Sequence, residues 1–152
     1  MSHQGIAPER AFEQVIPQIT SFIQEKGLFG HDEELRYRKQ GDLYILKVYN
    51  KRWLTETRIA QWKLVQFPGC CGIVISTEAI VFDRFRRKGL GKLLNTLRCS
   101  IAKAMGYGQI VCTEVKTNEP QTKILITNGW QLSSTFTNPK TSHVIQCWHK
   151  DL

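Results

Sequence analysis

Apolar residues recur along this chain at two different periods, and the places where the period changes mark out its elements. Over residues 9–27, ERAFEQVIPQITSFIQEKG, they fall at Phe12, Val15, Ile16, Ile19, Phe22 and Ile23. That spacing predicts one apolar face of a helix, stopped by Gly27 and kinked or divided at Pro17. After the polar turn GHDEE, the segments LRYRKQ and DLYILKVYN read as strands around Gly41-Asp42, a hairpin signal. TETRIAQWKLVQF (55–67) predicts another strand, PGCCG (68–72) a turn, and the β-branched run GIVISTEAIVF (72–82) a long strand. At Phe82 the period changes. From Leu90 the apolar positions are Leu90, Leu94, Leu97, Ile101 and Met105, one helical face closed by Gly106-Tyr107-Gly108. QIVCTEV (109–115) predicts a short strand. Pro120 is placed to open a second helix, with Ile124 and Leu125 as core contacts and Asn128-Gly129 as its end. WQLSSTFT and SHVIQCWH then predict two strands around the turn Asn138-Pro139-Lys140.

The strand at 72–82, the helix at 90–105 and the strand at 109–115 form a βαβ crossover, which places two strands parallel. The whole order predicts an α/β fold in one domain over residues 1–152, with a mixed sheet. At 152 residues the chain can bury a core without disulfides or metal. No run approaches the ~18 apolar residues of a membrane span, and MSHQGIAPERAFEQ lacks the apolar core of a signal peptide. The expected location is cytoplasmic, with no membrane partner. The five cysteines (Cys70, Cys71, Cys99, Cys112, Cys147) include no CxxC pair, so no metal site is expected. Cys99 and Cys112 fall in apolar segments and read as core fillers.

The net charge of +8 is unevenly spread. The ten residues 83–92 hold five basic side chains and one acid, half of the excess. They include "RFRRKGLGKLL", at the junction between the long strand and the next helix. A strand that turns through glycine into a helix N-terminus makes an anion site, because the first helical N–H groups lack partners and the macrodipole adds positive charge. Gly89 and Gly91 allow positive φ and close backbone approach, and Arg86, Arg87, Lys88 and Lys92 add charge. A Walker loop would need Gly at 86 and Ser or Thr at 93, where the chain has Arg86 and Leu93. A dinucleotide fingerprint would need Gly in place of Leu94. A nucleic-acid surface would spread its basic residues along a face and interleave aromatics, so nucleic acid is not the expected partner.

The pattern that fits is Arg-x-x-Gly-x-Gly, Arg86 through Gly91, which resembles the acyl-CoA pyrophosphate loop of the GCN5-related N-acetyltransferase (GNAT) family. Val81 and Phe85 match upstream positions, while Asp83 replaces a common Pro. Asn118, followed eleven and twelve residues later by Gly129-Trp130, resembles the family's Asn … Gly-Phe pattern. The match is clearest over residues 72–132. The resemblance implies a mostly antiparallel sheet with a central parallel strand pair, flanked by helices. It implies acetyl-CoA as co-substrate and transfer of an acetyl group to a primary amine of a protein, peptide or small molecule. It places backbone groups of Ile80, Val81 and Phe82 along the pantetheine arm, with Asn118 beside that arm. N–H groups of Arg87, Lys88, Gly89, Leu90, Gly91 and Lys92 would lie on the pyrophosphate, with Arg86 close by.

Transfer to an amine needs a group to take its proton. Glu114, sharing one strand face with Ile110 and Cys112, and Glu78, on the strand that enters the loop, are the two candidates. The family's acid is commonly a Tyr seven residues after the Asn, and here that position is Leu125. Either the thiolate leaves unaided, or Tyr107, His143 or Cys147 takes over as the acid. Cys112 as an acylated nucleophile is the less favoured reading of that thiol. The alternative reading of the whole chain is a catalytically weak acyl-CoA-binding module acting through a protein partner. The acceptor is expected to carry an amine; His31, Asp32, Glu33 and Glu34 read either as charges that attract it or as a solvated face, and Trp53 and Trp62 as groove lining or core. A homodimer is compatible with this reading.

Overall fold

The computed structural model describes residues 33–41, 43–50, 56–87 and 89–152, together with the single positions 14, 17 and 21, which are helical. The rest of the expected helix over 9–27, the loop that follows it with His31 and Asp32, and Trp53 and Lys88 lie outside the described residues. Among the described residues there are seven strands: β1 (Glu33–Gln40), β2 (Leu43–Asn50), β3 (Thr57–Gln66), β4 (Ile73–Val81), β5 (Gln109–Val115), β6 (Gln131–Thr137) and β7 (Val144–Asp151). Two helices interrupt them, α1 (Leu90–Ala104) and α2 (Glu119–Thr127). They form one sheet in the order β1-β2-β3-β4-β5-β7-β6. Every neighbour pair is antiparallel except β4 and β5, which are parallel as the crossover requires.

Each segment reflects its pattern. Gln40 faces Leu43, so Gly41-Asp42 is the two-residue hairpin connection. On β3 the alternation Ala60, Trp62, Leu64 turns these residues into the core, where they meet Leu46, Val48 and Tyr44 of β2. Leu90, Leu94, Leu97 and Ile101 bury the predicted face of α1. Met105 follows it as the cap, half-buried against the core. Leu125 is fully buried, whereas Ile124 is only half-buried.

Two departures from ordinary sheet geometry create the site. The β4–β5 ladder extends only from Ile73–Gln109 to Ile75–Val111, and beyond it the two strands have no pairing. Farther along β4, the β3 register jumps between Gln61–Ile80 and Lys63–Thr77. Two residues, Glu78 and Ala79, therefore oppose Trp62 alone, a β-bulge in which Glu78 takes φ 51°. No helix among the described residues is long and apolar enough to cross a membrane.

Candidate active site

The splay between β4 and β5 opens into a cleft of about 770 Å³, walled by the start of α1 and by the first turns of α2. At its mouth Phe82 leads into a single 3₁₀ turn (Asp83–Phe85), and the chain then reaches α1 through Arg87 at φ 61° and Gly89 at φ 82°. Gly89 is the N-cap and brings no capping side chain. The first helical donor in the ladder is Leu93 N–H, on Gly89 O at 3.2 Å. Among the described residues the N–H groups of Leu90, Gly91 and Lys92 thus have no intrahelical partner. Two left-handed residues before open helix amides form a concave cradle of N–H groups, suited to an anion. Arg87 and Lys92 line the cleft beside it.

The two loop glycines do different work. Gly89 supplies the left-handed turn. Gly91 lies inside α1, where a β-carbon would stand 3.1 Å from Ile124 Cδ1, so its missing side chain admits α2 as well as a ligand. The role expected for Arg86 also narrows. Its Nε donates to Val81 O at 2.8 Å, and its Nη1 pairs with Asp83 Oδ1 at 2.8 Å. Arg86 lines the cleft while tying the loop to the end of β4.

Along β4 the backbone groups separate by direction. Phe82 N–H donates to Ile59 O at 2.9 Å and Phe82 O accepts from Phe85 N–H at 2.8 Å. Both groups are used within the protein, and Phe82 is not part of the cleft lining, a correction to its expected place along the arm. Val81, opposite Ala60, is a non-hydrogen-bonded pair in this register, so its N–H points to the open edge. Ala79, Ile80 and Val81 line the cleft.

Glu114 and Asn118 meet on the opposite wall. Glu114 lies half-buried at the end of β5, on the core side with Ile110 and Cys112. Asn118 is the N-cap of α2, but its amide does not cap the helix. Instead Asn118 Nδ2 donates to Glu114 Oε1 at 2.8 Å, and Val115 N–H reaches the same oxygen at 3.2 Å. Glu114 itself lines the cleft. Glu78, the other candidate base, stands outside the lining, with its carboxylate 2.6 Å from Lys63 Nζ. The bulge accounts for this, since an inserted residue re-aims the side chains around it. Leu125 is sealed in the core, and Tyr107, His143 and Cys147 are absent from the cleft.

Burial pushes the Cys112 thiol up to about 11. It is a neutral core group and no nucleophile near pH 7–8. Brief labelling of the native protein with iodoacetamide at pH 8, read by peptide mass, should therefore modify exposed Cys71 and spare Cys112. Labelling of Cys112 ahead of Cys71 would contradict the assignment.

The pattern of charges and glycines did not reveal two further cleft residues, Asn95 and Arg98, while Trp62, expected along a groove or in the core, is fully buried against the cleft. The signal was present as a second stripe on α1, Gly91, Asn95, Arg98 and Ala102, at the same helical spacing as the leucines. The Gly-Trp motif serves this stripe. Gly129 turns the chain at φ 78° after α2, and buried Trp130 donates from Nε1 to Asn95 Oδ1 at 3.1 Å.

No family model matches the chain, and no curated protein matches its sequence. Solved structures do match its fold. A GNAT family acetyltransferase from Elizabethkingia anophelis with acetyl-CoA bound aligns with a TM-score of 0.67 and 11% identity, over 81% of this chain and 100% of that one. An IAA acetyltransferase from Bacillus cereus gives 0.59 and 12%, over 90% and 84%. Spermidine N-acetyltransferase from Vibrio cholerae, in complex with CoA and spermine, gives 0.59 and 11%, over 73% and 66%. The splayed parallel pair, the glycine junction and this likeness agree: the chain has the GNAT fold.

Proposed function

We propose that this protein is an acetyl-CoA-dependent N-acetyltransferase acting on a primary amine. The observation that carries the reading is the cleft itself, with an uncapped helix N-terminus at its mouth, an unpaired strand edge along one wall and a carboxylate on the other. These parts fit coenzyme A. Open amides of Leu90, Gly91 and Lys92, with Arg87 and Lys92 around them, suit a pyrophosphate. The unpaired edge of β4 at Val81 offers a backbone partner to an amide-bearing arm, and Asn118 Oδ1 a further acceptor.

When bound, acetyl-CoA would supply an activated thioester: the amine nitrogen adds to its carbonyl carbon, the C–S bond then breaks, and coenzyme A leaves as the thiolate. Glu114 Oε2 takes the proton that the amine gives up, directly or through one water. Asn118 holds the other oxygen, which fixes the carboxylate's orientation. The bulge at Glu78 and Ala79 interrupts the β3–β4 ladder and leaves backbone there for the developing oxyanion. The fold neighbours named for acetyl-CoA and for acetyl transfer support the same reading.

Thermal unfolding with and without acetyl-CoA tests it. Ligand at a hundred to a thousand times its Kd should add about 3–4 kcal/mol of stability. Gly89→Glu should abolish the gain, since it forces a side chain into φ 82° and places a negative charge in the cradle. No shift in the wild type would overturn the reading, and a shift that survives Gly89→Glu would remove the loop from it.

One observation favours the second reading, a weakly catalytic acyl-CoA-binding module. Leu125, at the position where a tyrosine acid would stand, is buried. Turnover to free thiol across an amine panel that is abolished in Glu114→Gln or Glu78→Gln would count against it.

A further inference from the structure

Three polar side chains are buried in the core of the described residues: Ser76, Asn95 and Arg98, at 3, 2 and 3% exposure. They form one cluster, two of whose members, Asn95 and Arg98, line the cleft. Arg98 Nη1 donates to Ser76 Oγ at 3.0 Å, and the guanidinium lies 5.0 Å from the centre of the Trp130 ring. Trp130 holds Asn95 by its carbonyl oxygen. An indole N–H can only donate, so this bond sets the orientation of the Asn95 amide and leaves Nδ2 on the other side. Asn95 Nδ2, Arg98 Nε, Arg98 Nη2 and Trp62 Nε1 are all buried without a hydrogen-bond partner. Asn95, Arg98 and Trp62 line the cleft, and Ser76 does not.

Every one of these open atoms is a donor, and one side chain carries a full positive charge. A buried guanidinium with two free nitrogens is costly unless an anion meets it. Its fork matches the two oxygens of a carboxylate. The pyrophosphate does not serve, because Arg98 lies eight residues into the helix whose first turn forms the cradle, about 12 Å along the axis. An acetyl methyl group would leave the donors unpaired.

We propose that Arg98, with Asn95 and Trp62, binds a carboxylate next to the reacting centre. The inference rests on reading the cleft as an acyl-CoA site. The carboxylate belongs either to the acyl group, as in a dicarboxylic acyl thioester, or to the acceptor, as in an amino acid.

Calorimetric titration of CoA, acetyl-CoA and succinyl-CoA into wild type, Arg98→Met and Arg98→Lys gives the first arm. Thiol-release kinetics with acetyl-CoA, comparing amino acids with their decarboxylated amines, gives the second. A carboxylate on the acyl group predicts succinyl-CoA binding at least about tenfold tighter than acetyl-CoA. A carboxylate on the acceptor predicts KM values lower by a similar factor for the amino acids. Either preference should vanish in Arg98→Met and weaken in Arg98→Lys, which keeps the charge without the fork, while CoA affinity stays within about threefold of wild type. Wild type that binds CoA and has neither preference overturns the proposal and leaves the acyl-CoA site standing. A preference unchanged in either folded variant also overturns it. Wild type that fails to bind CoA overturns the acyl-CoA reading itself, and the proposal with it.

Discussion

Glu114→Gln is expected to lower turnover by about a hundredfold to ten-thousandfold, the range for loss of a general base. The amide is nearly isosteric, and its oxygen can still accept from Asn118 Nδ2, so the wall of the cleft keeps its shape. What disappears is the capacity to take a proton. The fall should appear in kcat, with acetyl-CoA affinity by calorimetry within about threefold of wild type. Glu78→Gln provides the contrast. Its carboxylate sits on Lys63, half exposed and outside the cleft, and an exposed pair of this kind is worth about 1 kcal/mol or less. Turnover there should stay within a few-fold. A severe loss in Glu78→Gln with a mild one in Glu114→Gln would reverse the assignment.

Trp62→Ala is expected to cost about 3–5 kcal/mol of folding stability, the range for emptying a large aromatic site in a core. Trp62 has no exposed surface, faces Leu46 across β2 and lies opposite the bulge that shapes β4. Against a total stability of about 5–15 kcal/mol, the loss would leave a marginal domain. Trp62→Phe separates volume from polarity. Because Trp62 Nε1 has no partner, replacing the indole relieves a buried donor while keeping most of the ring, so the change should stay below about 1.5 kcal/mol. Urea unfolding gives both numbers as shifts in midpoint at constant slope. A loss under 1 kcal/mol in Trp62→Ala would mean that the tryptophan does not hold this part of the core.

How far the chain could be read before folding depended on the range of each interaction. The strands from β1 to β7, both helices and the parallel pair followed from periods of two and 3.6 and from Gly41-Asp42, Gly106 and Asn128-Gly129, all of them local signals. The anion cradle was equally legible, because a glycine cap and open helix amides require only about ten consecutive residues, 83–92. Even there, the division of labour between Gly89 as the turn and Gly91 as the contact for Ile124 required α2 to be in place.

The carboxylate wall of the cleft is a long-range property. Glu114 and Glu78 are chemically identical along the chain. The splay of β4 from β5 brings one into the cleft, and the bulge opposite Trp62 leaves the other on Lys63. Arg98 shows the same limit more sharply. In the sequence it is one basic residue among 21. Only packing against Ser76, Trp130 and Asn95 turns it into a buried charge with open donors. The sequence by itself determined the order of elements and the glycine turn into the helix, since both are made by neighbours along the chain. Tertiary structure alone decided which carboxylate faces the cleft and where its inner positive charge lies, because burial and partnership come from residues brought together across the sheet.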